Sequence, residues 1–367
     1  MKMKDVCIKI GSGSTPKGGK ESYVSTGTTL IRSQNVLDFS FSYNGLAFLN
    51  EQQALKLNNV IVKKGDVLLN ITGDSVARSC IVEENVLPAR VNQHVAIVRS
   101  NSEIVLNSYL LYYFQTVKPY LLQLAAGGAT RNALTKGMIE DLLIEVPDIN
   151  TQRKITSVLD VIQGKIKINQ KINENLLQQA QAFYVCMFIS NASPTWQAGH
   201  LSDLINVRYG KDHKKLRDGS YPVYGSGGIM RYAEKPLYDK ESVLIPRKGS
   251  LNNVMYLNDP FWSVDTMFFT EMKLPNVAKF VFHFLRSKDL ASLNSGSAVP
   301  SMTTDILNSM ELLIPDTATF SRFENVVAPM YLTIQHNQQE SSKLSKLRDS
   351  LLPRLMTGEL DVSNLDI

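Results

Sequence analysis

Cysteine is scarce: Cys7, Cys80 and Cys186 stand far apart, with no C-x-x-C pair. That argues against a disulfide framework and a cysteine-ligated zinc, and it fits a reducing, cytoplasmic compartment. No apolar run approaches the roughly eighteen residues that a membrane-spanning helix needs. The opening MKMKDVCIKIGSGS mixes charge with apolar residues and runs into glycine, without the apolar stretch of a signal peptide. Histidine is equally thin. His94, His200, His213, His283 and His336 are scattered, with no HxxxH pair, and His94 falls in a strand pattern that suits a structural role. No G-x-S-x-G elbow occurs. The glycine-rich GSGSTPKGGK invites comparison with a phosphate loop, but Gly19 occupies the place of the required lysine, and Glu21 follows Lys20 where a magnesium-binding hydroxyl is needed. It reads as a basic surface loop, and YGSGGI at 224–229 reads as a hairpin or surface loop. No catalytic residue, metal site or cofactor is therefore assigned to this chain, and an enzyme is not expected.

What is present is a duplication. The small-residue runs around Gly128 and Gly296 are followed by Leu134-Thr135 and Met302-Thr303, then by EDLLIEVPD and NSMELLIPD, which bring Pro147 opposite Pro315. Every pair is 168 residues apart, without a gap. The register continues into two long helical patterns, where Ile155, Leu159, Ile162, Ile166, Asn169, Leu176 and Phe183 face Phe323, Val327, Met330, Ile334, Asn337, Leu344 and Leu351.

The first five positions alternate by four and three and the last two follow at intervals of seven, the spacing of a heptad seam, with asparagine at its middle in both copies. A buried asparagine there costs stability and fixes register. Each pattern of about forty residues would span about 60 Å, longer than a small domain needs for its own core. Two such helices in one chain are expected to pair as an antiparallel coiled coil. Pro329 is expected to end a short first piece of the second helix or to bend it. The predicted fold class is α+β: two similar mixed α/β globular units with two long helices and a pseudo-twofold relation. The expected boundaries are 1–147 and 191–316 for the globular units, 148–190 and 317–357 for the helices, and 358–367 for the tail.

The chain has 39 basic and 34 acidic side chains, a net charge of +5, which favours an acidic partner. The polar turns of the first globular unit carry Lys17, Lys20, Arg32, Gln34, Asn35, Arg78, Arg90, Gln93, Arg131 and Asn132. Those of the second carry Lys211, His213, Lys214, Lys215 and Arg217, then Tyr224, Ser226, Arg231, Arg247, Lys248, Ser250, Asn252 and Asn253. Lysine and arginine answer phosphate charge, and arginine, asparagine and glutamine can pair with base edges. These are the candidate DNA-binding residues. A coiled-coil scaffold with two ligand-binding units that do not bind DNA is the alternative.

Two V/I-P-D strand ends stand before the long helices, with IRSQNV at 31–36, DGSYPVYGSGGI at 218–229 and the closing LRDSLLPRLMTGEL at 347–360. On these marks nearly the whole chain resembles the specificity subunit of type I restriction–modification systems. The resemblance implies two target recognition domains, each reading one half of a split DNA sequence, with an antiparallel coiled coil setting the gap. It also implies no catalysis in this chain. Two modification subunits would bring S-adenosylmethionine, and restriction subunits would bring ATP with Mg2+.

Overall fold

The heptad patterns become two unbroken helices, Ile149–Val185 and Thr317–Met356. The computed structural model of the chain describes residues 1–16, 18–127, 132–293 and 301–365. Lys17, Arg131, the side chain of Lys20 and the duplicated glycines Gly128 and Gly296 lie outside the described residues. Of the two alternatives expected at Pro329, the ending of a first helical piece does not occur. Pro329 sits on an exposed face, as does Asn325, whose carbonyl its ring leaves without a donor, so water can satisfy that group. The Thr333 hydroxyl donates to the Pro329 carbonyl at 2.9 Å.

The chain divides into two compact units. The first joins Met1–Asn169 to Gln339–Ile367, and the second is Gln170–Gln338. Each unit thus owns part of both long helices, and within each unit the helices pair antiparallel. In the first, Gln163 meets Arg348 (2.7 Å), Lys165 meets Glu340 (3.2 Å), and the Asn169 amide donates to Glu340 (2.7 Å). In the second, the Asn337 amide donates to the Asn173 carbonyl oxygen at 2.8 Å, while Tyr184 packs edge-on to Phe323. Both seam asparagines are buried.

The seam follows the heptad spacing along its first half, where Ile155, Leu159, Ile162 and Ile166 are buried. Leu176 is only half-buried, and Phe183 departs from the expectation at 40 % exposed. Burial passes instead to Ala180, Tyr184 and Phe188. A straight helix drifts by about 20° per heptad, so a stretch that docks on a globular core shifts its buried face by one position. The second helix does likewise. Phe323 and Val327 are buried and Met330, Ile334, Leu344 and Leu351 half-buried, while Tyr331, Leu352 and Leu355 carry the burial at its two ends.

In the first unit the strands are β1 (Cys7–Ser12), β2 (Thr28–Ile31), β3 (Ala47–Leu49), β4 (Ile61–Val62), β5 (Val67–Asn70), β6 (Ser79–Ile81), β7 (Ala89–Val91) and β8 (Val95–Ser100). They form two sheets, ordered β1-β8-β5-β6 and β3-β2-β7-β4. Apolar runs such as VLLN and VAIV are buried on both faces: one side packs on the helix Asn107–Thr116 and the long helices, the other on the second sheet.

The second unit holds β9 (Gln197–His200), β10 (Ile205–Tyr209), β11 (Asp218–Gly225), β12 (Gly228–Ala233), β13 (Ser242–Pro246), β14 (Met255–Leu257), β15 (Trp262–Ser263), β16 (Met267–Met272) and β17 (Glu311–Ile314). Its orders, β10-β16-β13-β14 and β12-β11-β15, repeat those of the first unit except that β4 has no counterpart, and β9 pairs with β17 in a further two-stranded sheet. Even the one parallel pairing is repeated, β2 with β7 and β11 with β15. The duplication read from the helices therefore extends to the sheets.

His283, on the helix Ala278–Arg286, is fully buried at the foot of the second unit. Its Nδ1 lies 2.7 Å from the Gln181 carbonyl oxygen and its Nε2 2.9 Å from the Tyr331 hydroxyl, partners that suit the neutral ring. Burial, helped by Arg286, pushes its pKa down from 6.5 to about 3. Between those values the unfolded chain takes up a proton that the folded chain refuses, so this contribution to stability is whole above pH 6.5 and shrinks as pH falls. At pH 5 the loss is about 2 kcal/mol. In urea titrations at pH 7 and pH 5, His283→Phe should lose stability at both values but show a smaller difference between them than the native chain.

Candidate nucleic-acid interface

In the first unit β1, β2, β5 and β7 end, and β8 begins, on one common edge. Backbone bonds stitch the connections there: Gly13 to Asn92 (3.1 Å), Asn92 to Ile31 (3.0 Å) and Ile71 to His94 (2.9 Å). The Asn70 amide donates to the Ser33 carbonyl at 2.9 Å, and Gly73 bonds Asn132 at 3.1 Å. Five connections meet on this edge: those beginning at Gly13, Arg32, Ile71 and Asn92, and the one carrying Asn132. Loops at strand ends are free of core packing, which suits them to carry variable recognition groups.

This edge brings together Arg32, Gln34, Arg78, Gln93 and Asn132. Gln34, Gln93 and Asn132 are exposed, and Arg78 is half-buried. The Arg32 guanidinium lies 5.7 Å from the Tyr23 ring centre and donates to the Gly45 carbonyl, while its buried Nε has no partner. The Gln34 amide reaches the same carbonyl at 3.2 Å. Gln93 accepts from the Thr15 hydroxyl, which ties the glycine-rich loop to the β7–β8 turn.

Two candidates turn inward instead. Asn35 is fully buried: its carbonyl oxygen accepts from the Arg32 backbone at 3.0 Å, and its amide donates to Ser42 and Asn44. It shapes the loop that displays Arg32 and Gln34. Arg90, 9 % exposed, spends its guanidinium on the Ala54 and Ala89 carbonyls and on Asn58.

The second unit presents the same edge. Gly210 bonds Met267 (3.0 Å), Lys211 bonds Ser263 (2.8 Å) and Arg247 bonds Thr266 (2.9 Å) through their backbones. The Arg247 guanidinium lies 5.5 Å from the Tyr209 ring centre. The Asn253 amide donates to the Ser226 carbonyl at 2.8 Å, closing the β11–β12 turn onto the loop after β13. Lys211, Lys214, Lys215, Lys248 and Ser250 are exposed, and His213 is half-buried. Arg217 pairs with Glu234 (2.8 Å), Arg231 with Asp218 (2.9 Å) and Asn252 with Asp289 (2.9 Å). Tyr224 points inward, and burial pushes its pKa up to about 12. The sequence reading missed Tyr23 and Tyr209, the rings on which Arg32 and Arg247 rest. Nothing local marks an aromatic residue as a platform for a guanidinium distant in sequence.

Among the described residues no cluster of His, Cys, Asp and Glu could hold a metal ion, and no helix is long and apolar enough to cross a membrane. A family model described as the type I restriction modification DNA specificity domain matches residues 1–178 and 194–347. The chain is 23 % identical to the type I restriction enzyme MjaIX specificity subunit of Methanocaldococcus jannaschii, over 99 % of its own length and 94 % of that protein. It is 20 % identical to the HindI specificity subunit of Haemophilus influenzae, over 82 % and 87 % of the two chains. The solved S subunit of a type I restriction–modification system from M. genitalium shares the fold, with a TM-score of 0.52 at 16 % identity, covering 97 % of this chain and 95 % of that one. The chain belongs to the type I restriction–modification DNA specificity family. It is a non-catalytic subunit: it supplies sequence specificity to such a complex and does none of its chemistry.

Arg90→Ala should act on the fold. It removes three hydrogen bonds and the packing of a buried side chain, while the Ala54 carbonyl keeps the Leu57 N–H and Asn58 is open to water, so the loss is about 1–2 kcal/mol. Urea denaturation measures it, and salt-dependent DNA affinity should be unchanged at temperatures where the variant is folded.

Proposed function

We propose that each unit reads one half of a bipartite DNA target through the strand-end loops described above, and that the paired helices set the spacer between the halves. What carries this reading is the repetition of one edge in both copies of the fold, each time gathering guanidinium, amide or ammonium groups on loops tied together by backbone bonds. Lys211, Lys214, Lys215 and Lys248 suit phosphate oxygens, which add affinity without sequence preference. Arg32, Gln34 and Gln93 in the first unit, and Arg247 and Asn253 in the second, suit base edges, because each presents paired or forked hydrogen-bonding groups. Lys17, Lys20 and Arg131 belong to the same loops by sequence. Both units on one duplex gain effective concentration only when the half-sites stand at the right distance.

In this reading the helices also dock two modification subunits, which would bring S-adenosylmethionine, and the complex would recruit restriction subunits using ATP and Mg2+. The scarcity of cysteine agrees with work in the cytoplasm.

The decisive experiment inserts one heptad at matching points of both long helices and sequences the methylated sites in a host carrying the modification subunits. Seven residues add about 10 Å, or about three base pairs. The spacer should lengthen by that amount with both half-sites unchanged; an unchanged spacer would refute the role of the helices. A second measurement concerns phosphate contacts. Lys211→Ala and Lys248→Ala should each lower the slope of log affinity against log salt by about one, without altering the ratio between specific and non-specific DNA.

A further inference from the structure

The second unit contains a cavity of about 720 Å³ between the globular part and the helix face bearing Ala328, Tyr331 and Gln335. Tyr224, Tyr256 and Phe282 supply aromatic walls. Ile229 and Leu332, also in its lining, are 50 % and 63 % exposed.

Its polar groups are unevenly matched. Lys279 is shared between Glu241 (2.9 Å) and Glu324 (2.6 Å), so one ammonium answers two carboxylates. The second Glu324 oxygen, Oε2, is buried and has no hydrogen-bond partner. Asp259 adds a further carboxylate to the lining, held by the Gln335 amide at 2.9 Å rather than by a cation. Arg286 lies against the Phe282 ring but does not line the cavity. A buried carboxylate oxygen without a donor carries a desolvation cost that a cation or N–H donor would relieve.

The first unit shows what fills the corresponding place. The residues 168 positions earlier are Asp160, Gln163 and Lys167. There the chain covers its own helix: Tyr112 donates to Asp160 at 2.7 Å and Lys167 pairs with Glu83. Arg348 donates to Gln163 at 2.7 Å, with its guanidinium 3.9 Å from the Phe39 ring centre. Neither of the last two side chains has a counterpart in the second copy. The position equivalent to Arg348 is Ala180. Phe39 rides on the long connection between β2 and β3, whereas Gly225 and Gly228 pair across the tight turn that joins β11 to β12.

We propose that the cavity receives, from a partner polypeptide, an aromatic side chain next to a basic one, which supplies in trans what Phe39 and Arg348 supply within the first unit. The ring would pack among the tyrosines, and the cation would meet Glu324 Oε2 and Asp259.

The test uses the full chain with methyl-labelled alanine and leucine, followed by NMR. The probe is N-acetyl-Phe-Arg-amide, compared with N-acetyl-Ala-Arg-amide and N-acetyl-Phe-Glu-amide. Saturable shifts at Ala328 and Leu332 are expected with the first probe, at least tenfold weaker with the other two. Ala328→Trp, which fills the space, should abolish them, and Glu324→Gln should weaken binding roughly tenfold. No saturable shift, an equal response to all three probes, or indifference to Glu324→Gln would overturn the proposal. In the purified complex with its modification subunits, a benzophenone amino acid at Leu332 should cross-link to a partner segment with an aromatic residue beside lysine or arginine. Adducts confined to this chain, or none, would overturn the partner as the source. Both measurements are independent of DNA reading, so their failure would leave that function standing.

Discussion

The structure depends on antiparallel pairing of two helices that are distant in sequence, because that pairing completes both hydrophobic cores. In the first unit Leu352, Leu355 and Val362 join Ile155, Leu159 and the helix Asn107–Thr116 in one buried cluster. In the second, Tyr184 and Phe188 meet Phe320, Phe323 and Val327 against Phe280. Each of these large side chains removes apolar surface worth about 1.5–3 kcal/mol from water. Each globular part also keeps a smaller cluster within itself, around Leu30 and Ile97 in the first unit and Val223 and Phe261 in the second, but its larger cluster is closed by the long helices, which are therefore structural members of both units rather than connectors added to them.

On that frame the two copies keep their strand order and change their connections. Ladder bonds and double-sided burial hold β1-β8-β5-β6 and its counterpart to one register, since a slip of one residue would exchange the side chains fitted against the helices with those fitted against the second sheet. The loops at the shared edge face no such constraint. The connection after β2 carries Phe39 with φ of 61°, the buried Asn35 and the Arg32–Tyr23 contact, whereas its counterpart after β11 is a turn through Gly228 at φ of 112°. A specificity subunit needs this division, with a frame that tolerates no shift and an edge that tolerates almost any side chain.

The architecture was legible in the sequence because it rests on periodicity and repetition. Pro147 opposite Pro315, and seven helical positions in fixed register with their partners, were enough to give the duplication and the two helices. What was not legible depended on contacts between distant residues. Tyr184 rather than Phe183 is buried because the helix there answers to a globular core and not only to its partner helix. Pro329 is tolerated because its face of the helix is wet, which a one-dimensional pattern does not reveal. Arg90 and Asn35 share the composition of the candidate set, but their side chains are spent within the fold, Asn35 on the loop that carries Arg32 and Gln34 and Arg90 on Ala54, Ala89 and Asn58. The roles of Tyr23 and Tyr209 depend on where a distant guanidinium comes to rest.

The way the chain is threaded through the two units has a consequence for synthesis. The second unit is one continuous stretch, Gln170–Gln338, while the first is closed only by Gln339–Ile367. On a ribosome, which delivers about 5–20 residues each second, the unit begun first is therefore completed last. Until the final helical turns emerge, Ile155 and Leu159 lack the cover of Leu352 and Leu355, and the nascent first unit must wait with an open apolar seam while the later one can already close.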